Sequence, residues 1–300
     1  MATNVFEEGK IHWQNVNVDS SPKPLLLLSP TVPGTYPVIL FCHGFCLRNT
    51  CYSKLLGLIA SHGFILVAPQ LFSAGIPTLG PSEVKWAGSI VDWIAEGLQP
   101  LLPESVEAQL DSLVLAGHSR GGKTAFAVAL GYVQTKLKFS VLIGIDPVAG
   151  LSKCKICQTL PHILTYEPRS FNLGIPVLVI GTGLGPEPNS FTMMACAPDG
   201  VNHEEFYREC RPPCAHFVAK EYGHMDMLDD DIPGIIDGVI SKCLCKNGVH
   251  PRELMRKTVA GLVVAFLRAY LKAQFEDLEI ILKDPGLAPT KLEQVEYVPE

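Results

Sequence analysis

Six near-continuous apolar runs recur along the chain: PVILFCHG (37–44), FILVAPQL (64–71), SLVLAGHS (112–119), SVLIGIDPV (140–148), IPVLVIGTG (175–183) and AHFVAKEYGH (215–224). Strands that read as unbroken apolar runs are covered on both faces, as in a parallel sheet. Helical patterns lie between them: CYSKLLGLIASHG, the stretch around VKWAGSIVDWIAEGL, and KTAFAVALGYVQTKL. This alternation predicts an α/β fold, a doubly wound, mostly parallel sheet with helices on both faces. Upstream, IHWQNVNVD and KPLLLLSPTV suit a leading antiparallel pair, and RELMRKTVAGLVVAFLRAYLKAQFED reads as a long closing helix. There is no internal repeat. The Pro/Gly-rich segment 181–200 is too short to link domains and reads as a loop over one end of the sheet. A single domain over residues 1–300, with a short lead-in and a C-terminal tail, is expected.

Composition narrows the function more than the fold. With 300 residues and 47% apolar content, a sizeable core is available. A formal charge of −6 and dispersed Lys and Arg leave no electrostatic footprint for nucleic acid. The first twenty residues, MATNVFEEGKIHWQNVNVDS, have neither a basic n-region nor an apolar core of signal-peptide length. No run approaches the ~18 apolar residues a membrane span needs. The expectation is a soluble protein retained inside the cell or bound peripherally to a membrane. Ten cysteines include the local pairs Cys154/Cys157, Cys210/Cys214 and Cys243/Cys245. No second CxxC or regular His pair completes a zinc set, so these are read as ordinary thiols or occasional redox pairs, with no metal site.

The candidate chemistry sits where SLVLAGHS meets KTAFAVAL. Gly117-His118-Ser119-Arg120-Gly121 is a GxSxG pattern that follows an apolar strand and opens a helix, the setting required of a nucleophile elbow. Glycines on both sides let strand and helix approach while Ser119 occupies a strained turn. A plain N-cap serine would need neither glycine. A serine hydroxyl needs a base to take its proton, and in this architecture the base follows a late strand, after the acid. His224, after AHFVAKEYG, fits that position better than the other eight histidines. For the acid, Asp146 ends SVLIGID before Pro147, and Glu187 lies after the next strand. A carboxylate ending an apolar strand is buried, and burial demands a partner such as an imidazolium, which favours Asp146. Asp226 shares the His224 loop and is too close in sequence to orient the ring, while Asp229, Asp230 and Asp231 read as a solvated acidic turn. The backbone N–H groups of Arg120 and of Phe45, just after the early FCHG turn, are candidates for an oxyanion hole.

Taken together, FCHGF, GHSRGGKTAFA, LIGIDPVAG, PDGVNHEEFY and YGHMDMLDDD resemble the plant chlorophyllases, an α/β-hydrolase family, over about residues 7 to 285. The resemblance implies hydrolysis of the ester joining the phytyl chain to the chlorophyll macrocycle, giving chlorophyllide and phytol without a cofactor. It carries the nucleophile, acid and base of the family onto Ser119, Asp146 and His224. Some relatives carry an amino-terminal plastid-type extension that this sequence does not show, so the cytosol or a vacuolar or endoplasmic-reticulum surface is expected ahead of the chloroplast. Chlorophyll as partner needs an apolar cleft, for which Leu47, Met193, Met194, Met225, Met227 and Leu228 flank the expected sheet end. A general carboxylesterase or lipase would use the same triad. A non-catalytic ligand-binding protein of the same fold is the competitor from another class.

Overall fold

A computed structural model describes residues 4–72, 81–189, 194–232, 238 and 240–300 of the chain. Among these, nine strands join in one sheet: β1 (Trp13–Val18), β2 (Leu25–Pro30), β3 (Gly34–Cys42), β4 (Ile65–Pro69), β5 (Val106–His118), β6 (Val141–Ile145), β7 (Val177–Thr182), β8 (Cys214–Ala219) and β9 (Leu292–Val298). Their spatial order is β1-β2-β4-β3-β5-β6-β7-β8-β9. The six strands from β4 to β8 in that order are parallel, while β1, β2 and β9 add antiparallel edges. The described helices used below are α1 (Ser53–Ala60), α2 (Ser82–Gly97), α3 (Arg120–Ala129), α4 (His203–Glu209), α5 (Arg252–Lys272) and α6 (Glu276–Lys283).

Successive strand residues divide between two cores, which is why the strands read as apolar throughout. Ile39, Phe41, Leu66, Ala68, Val114 and Ala116 pack on the face covered by α1, α5 and α6. Their neighbours Val38, Leu40, Ile65, Val67, Leu113 and Leu115 pack on the opposite face beneath α2, α3 and α4. Each fully buried Leu, Ile or Phe on these faces contributes about 1.5–3 kcal/mol relative to exposure. Helix α5 buries most of its circumference, with Leu262, Val263, Val264, Phe266 and Leu267 all enclosed. A helix apolar on nearly all sides belongs inside, and α5 packs on β6 and β7 with α1 alongside it over β2 and β4.

The expected leading pair, the parallel strands and the flanking helices are all present. Three differences have physical causes. Helix α3 stops at Ala129, with Gly131 at φ +82°, a left-handed conformation that ends the run. The closing helix breaks at Ala273, also left-handed at φ +52°, and resumes as α6. The presumed C-terminal tail instead includes β9, which pairs with β8 and turns Glu293 and Glu296 outward. None of the described helices is long and apolar enough to cross a membrane.

Candidate active site

The parallel strands all end on one side of the sheet, and the chemistry gathers there. Ser119 sits between β5 and α3 at φ +57°, ψ −129°, a strained conformation for a residue with a Cβ that costs about 1–3 kcal/mol. The flanking glycines explain how the turn closes. A Cβ on Gly117 would lie 2.4 Å from the Gly121 carbonyl oxygen, and one on Gly121 would lie 2.2 Å from that of Cys42. The Ser119 N–H donates to the Ile145 carbonyl at 3.0 Å, and its own carbonyl accepts from Lys123 and Val148, both at 3.1 Å. The backbone of the turn is thereby tied to β6 and to the segment after it.

His224 bridges the other two residues singled out in the sequence. Its Nε2 lies 2.8 Å from Ser119 Oγ and its Nδ1 lies 2.7 Å from Asp146 Oδ2. A carboxylate only accepts, so Nδ1 carries the proton and the Nε2 lone pair faces the serine hydroxyl. Asp146 is fully buried at the end of β6, at φ +41°. Burial alone would raise its carboxyl. The hydrogen bond and charge of His224, the neighbouring His203 and the Thr182 hydroxyl outweigh that and hold it below the ordinary carboxylate value. Thr182, at the end of β7, donates its hydroxyl to Oδ2 at 2.6 Å.

A second set of bonds fixes this arrangement from behind. His118, fully buried, has its ring centroid 4.6 Å from that of His224, and its Nε2 lies 2.9 Å from the His224 carbonyl oxygen. Since a carbonyl only accepts, Nε2 carries the proton and Nδ1 accepts from the Tyr52 hydroxyl at 2.7 Å. The Tyr52 oxygen in turn accepts the Gly44 N–H at 2.9 Å. Burial, then the adjacent His224, pushes His118 down to about 3, so this ring is a neutral strut. It connects the turn after β3 to the loop that carries His224.

That turn also holds Phe45. Strands β3 and β5 are in register at Cys42 and Gly117, so Phe45 and Arg120 each follow by three residues. The Arg120 guanidinium carbon lies 5.1 Å from the Phe45 ring centroid. Its Nε lies 3.0 and 2.9 Å from the two carboxylate oxygens of Glu83, both residues being buried. The Arg120 side chain thus anchors α2 against the start of α3, a role the sequence did not disclose. Lys123, one turn along α3, is also buried; it donates to the Leu160 carbonyl at 2.7 Å, and burial pushes it down to about 8.

The competing acids occupy different places. The Glu187 side chain is half exposed and pairs with Lys246. Asp226 is buried, accepts the N–H groups of Gly223 and Gly248 at 2.7 and 2.6 Å, and pairs with Arg252 at 3.4 Å, which braces the His224 loop. The solvated acidic turn is corrected at Asp229, which is buried and accepts the Lys54 N–H at 3.0 Å; Asp230 and Asp231 are exposed. Burial pushes Asp229 up to about 6, against the pull of that N–H and of Arg256. Among the cleft candidates, Leu47, Met225, Met227 and Leu228 are enclosed in the core beneath α1 and α5, whereas Met194 is half exposed. Met193 lies outside the described residues. Cys196 and Cys245, 49 residues apart, form a disulfide that none of the three local spacings suggested, which corrects the expectation of free thiols or local redox pairs. It joins the loop after β7 to the segment following the His224 loop.

A mostly parallel sheet with this strand order, and a serine, a histidine and an acid at the carboxyl ends of its strands, defines an α/β-hydrolase. The family model for chlorophyllase matches residues 1–299. Chlorophyllase-1 of Arabidopsis thaliana is 53% identical over 96% of this chain and 90% of its own length. Chlorophyllase-2 of the same plant is 47% identical over 98% of both chains. A protein of Citrus unshiu named "Chlorophyllase-1, chloroplastic" is 46% identical over 98% of this chain and 88% of its own. The chain belongs to the chlorophyllase family. The expected preference for cytosol, vacuole or endoplasmic-reticulum surface is overturned by the chloroplastic naming of this relative and of its Citrus sinensis counterpart.

Proposed function

We propose that the protein hydrolyses chlorophyll to chlorophyllide and phytol through Ser119, His224 and Asp146. The observation that carries this reading is the His224 ring bonded at once to Ser119 Oγ and to Asp146, in a chain of the chlorophyllase family. His224 Nε2 takes the Ser119 proton as Oγ attacks the propionate ester carbonyl. The N–H groups of Phe45 and Arg120 receive the oxyanion. Collapse of the tetrahedral intermediate breaks the bond to phytol, whose oxygen takes the proton from His224. Water then attacks the acyl-enzyme carbonyl, giving its proton to the same nitrogen, and chlorophyllide leaves as the serine is restored. Asp146 holds the ring and stabilises the imidazolium, and Thr182 holds Asp146. Met194 is the described candidate for contact with the apolar substrate.

Phytol release from chlorophyll, compared with hydrolysis of p-nitrophenyl esters and triacylglycerol, tests this reading. The expected result is release by the wild-type chain and none by Ser119→Ala. Preference for the simple esters without phytol release would overturn it in favour of a general esterase. Failure of a fluorophosphonate probe to label Ser119 would point to a non-catalytic binding protein.

A further inference from the structure

The segment after Asp146 inverts the usual rule of burial. Residues 149–159 form a small hairpin: Leu151 N–H bonds the Cys157 carbonyl at 2.9 Å, Thr159 N–H bonds the Ala149 carbonyl at 2.9 Å, and Gly150 bridges Gln158. Its polar Gln158 is buried, donating to the Lys153 carbonyl at 2.9 Å and to the Tyr166 hydroxyl at 2.7 Å. Its two large aliphatic side chains point the other way, with Ile156 95% exposed and Leu151 61% exposed. A bonded hairpin that encloses a glutamine and presents an isoleucine is holding apolar surface out against its own solvation cost.

Position and charge indicate what covers that surface. The hairpin rises directly from the end of β6, and its base is tied to the Ser119 turn through Val148 N–H. From Pro147 to Tyr166 the only Asp, Glu, Lys or Arg side chains are Lys153 and Lys155, in a chain of net charge −6. Lys153 fastens the hairpin to α4 through Glu205 at 3.0 Å, and Lys155 is exposed beside Ile156. Val249, 93% exposed, emerges from the same end of the sheet, on the segment whose Gly248 N–H bonds Asp226. Apolar tips beside an exposed lysine match a bilayer interface with anionic headgroups, in which the apolar side chains enter the acyl boundary and the Lys155 ammonium meets the lipid charge.

We propose that the 149–159 hairpin docks the protein on an anionic lipid bilayer, with the triad end of the sheet facing the membrane. This rests on the chlorophyllase reading only for its purpose, since a substrate with a phytyl tail is delivered from the lipid phase. The test is co-sedimentation with phosphatidylcholine vesicles, with and without phosphatidylglycerol, for the wild type, Ile156→Asp, Leu151→Asp and Lys155→Glu. The wild type is expected to bind the anionic vesicles more tightly. Each aspartate variant should lose about tenfold or more in partition to both vesicles. Lys155→Glu should lose about fivefold or more on anionic vesicles only. With chlorophyll embedded in the vesicles, the variants should lose turnover in proportion, while a water-soluble p-nitrophenyl ester is cleaved at the wild-type rate. Equal vesicle binding by wild type and variants overturns the proposal, as does a wild type that ignores both vesicles. A dimer converted to monomer by Ile156→Asp, without change in vesicle binding, overturns it in favour of a contact between copies. Absence of phytol release from detergent-dispersed chlorophyll would instead refute the chlorophyllase reading and leave the sedimentation result to stand on its own.

Discussion

Two buried histidine pairs lie on either side of Asp146, and they are built for opposite purposes. The His118 and His224 rings are 4.6 Å apart, and those of His203 and His216 are 5.1 Å apart. All four side chains are almost wholly enclosed. In the first pair His224 has a carboxylate at 2.7 Å on one nitrogen and a hydroxyl at 2.8 Å on the other. In the second, His203 Nδ1 bonds His216 Nε2 at 2.9 Å, and the closest acid to His216 in an ion pair is Glu296, at 3.9 Å. Burial pushes His216 down to about 3 and lowers His203 as well, so the second pair is a neutral spacer under β7 and β8. Burial is common to both pairs; what distinguishes the first is a buried carboxylate standing directly behind one imidazole.

The largest effects break the first pair. Ser119→Ala should lower kcat on chlorophyll by about a million-fold while the unfolding midpoint stays close to wild type, because the hydroxyl that attacks in the proposed mechanism is gone and the packing is not. Asp146→Asn should lower kcat by about ten-thousand-fold. An amide in that position can donate to His224 Nδ1, which turns the Nε2 proton towards Ser119, the wrong tautomer for a base. Single-turnover rates for the two variants check both figures, and an Asp146→Asn enzyme within tenfold of wild type would dissociate His224 from its supposed partner.

Tyr52→Phe addresses the strut. It removes the hydroxyl that accepts from Gly44 and donates to His118, leaving two buried groups without that bond. A loss of about ten- to a hundredfold in kcat is expected with KM little changed, as positioning of the Phe45 turn and the His224 loop loosens, together with about 1–3 kcal/mol of stability. A change confined to the unfolding midpoint, with kcat intact, would make the strut purely structural.

Acidification probes buried histidines that the two pairs and the turn after β3 hold neutral. His43, His118 and His216 lie at about 4, about 3 and about 3 in the fold, against ~6.5 when unfolded. Below about pH 6.5 the unfolded chain binds protons the folded chain refuses, so stability falls as pH falls, until the folded values are reached. Each such histidine adds up to about 1.4 kcal/mol per pH unit to that slope. His216→Asn should therefore flatten the stability profile by about that amount between roughly pH 6 and 4, measured by urea unfolding. An unchanged slope would mean that His216 carries its proton inside the fold.

Much of this arrangement was legible because it lies along the chain. Ser119 announced itself by glycines at fixed offsets between a strand and a helix, and Asp146 and His224 by their places after apolar runs. What escaped depends on contacts between distant segments. Tyr52 and His118 are 66 residues apart, and the Arg120–Glu83 pair and the Thr182 hydroxyl depend on which strands and helices become neighbours, which periodicity does not encode. The same holds for Cys196 and Cys245, where adjacent cysteines suggested local pairs instead. Strand β9 was missed because an edge strand with outward glutamates has only a weak alternation to read. The hairpin at 149–159 defeated the pattern for another reason, since its exposed Ile156 breaks the assumption that apolar residues point inward.

The smallest expected effect discriminates most finely between the two acids that the sequence left in competition. Glu187 follows β7 on the same side of the sheet as Asp146, yet its carboxylate is half exposed and satisfied by Lys246, itself about half exposed. An exposed pair of this kind is worth about 0–1 kcal/mol, and nothing about it compels a histidine to approach. Asp146 has no such freedom: with its carboxylate fully enclosed, it stays ionised by virtue of the Thr182 hydroxyl and the His224 ring. Glu187→Gln should therefore leave kcat on chlorophyll within about twofold of wild type and shift stability by less than about 1 kcal/mol. Parallel assays of Glu187→Gln and Asp146→Asn decide the matter, because a collapse in the first with survival of the second would move the acid from the end of β6 to the loop after β7.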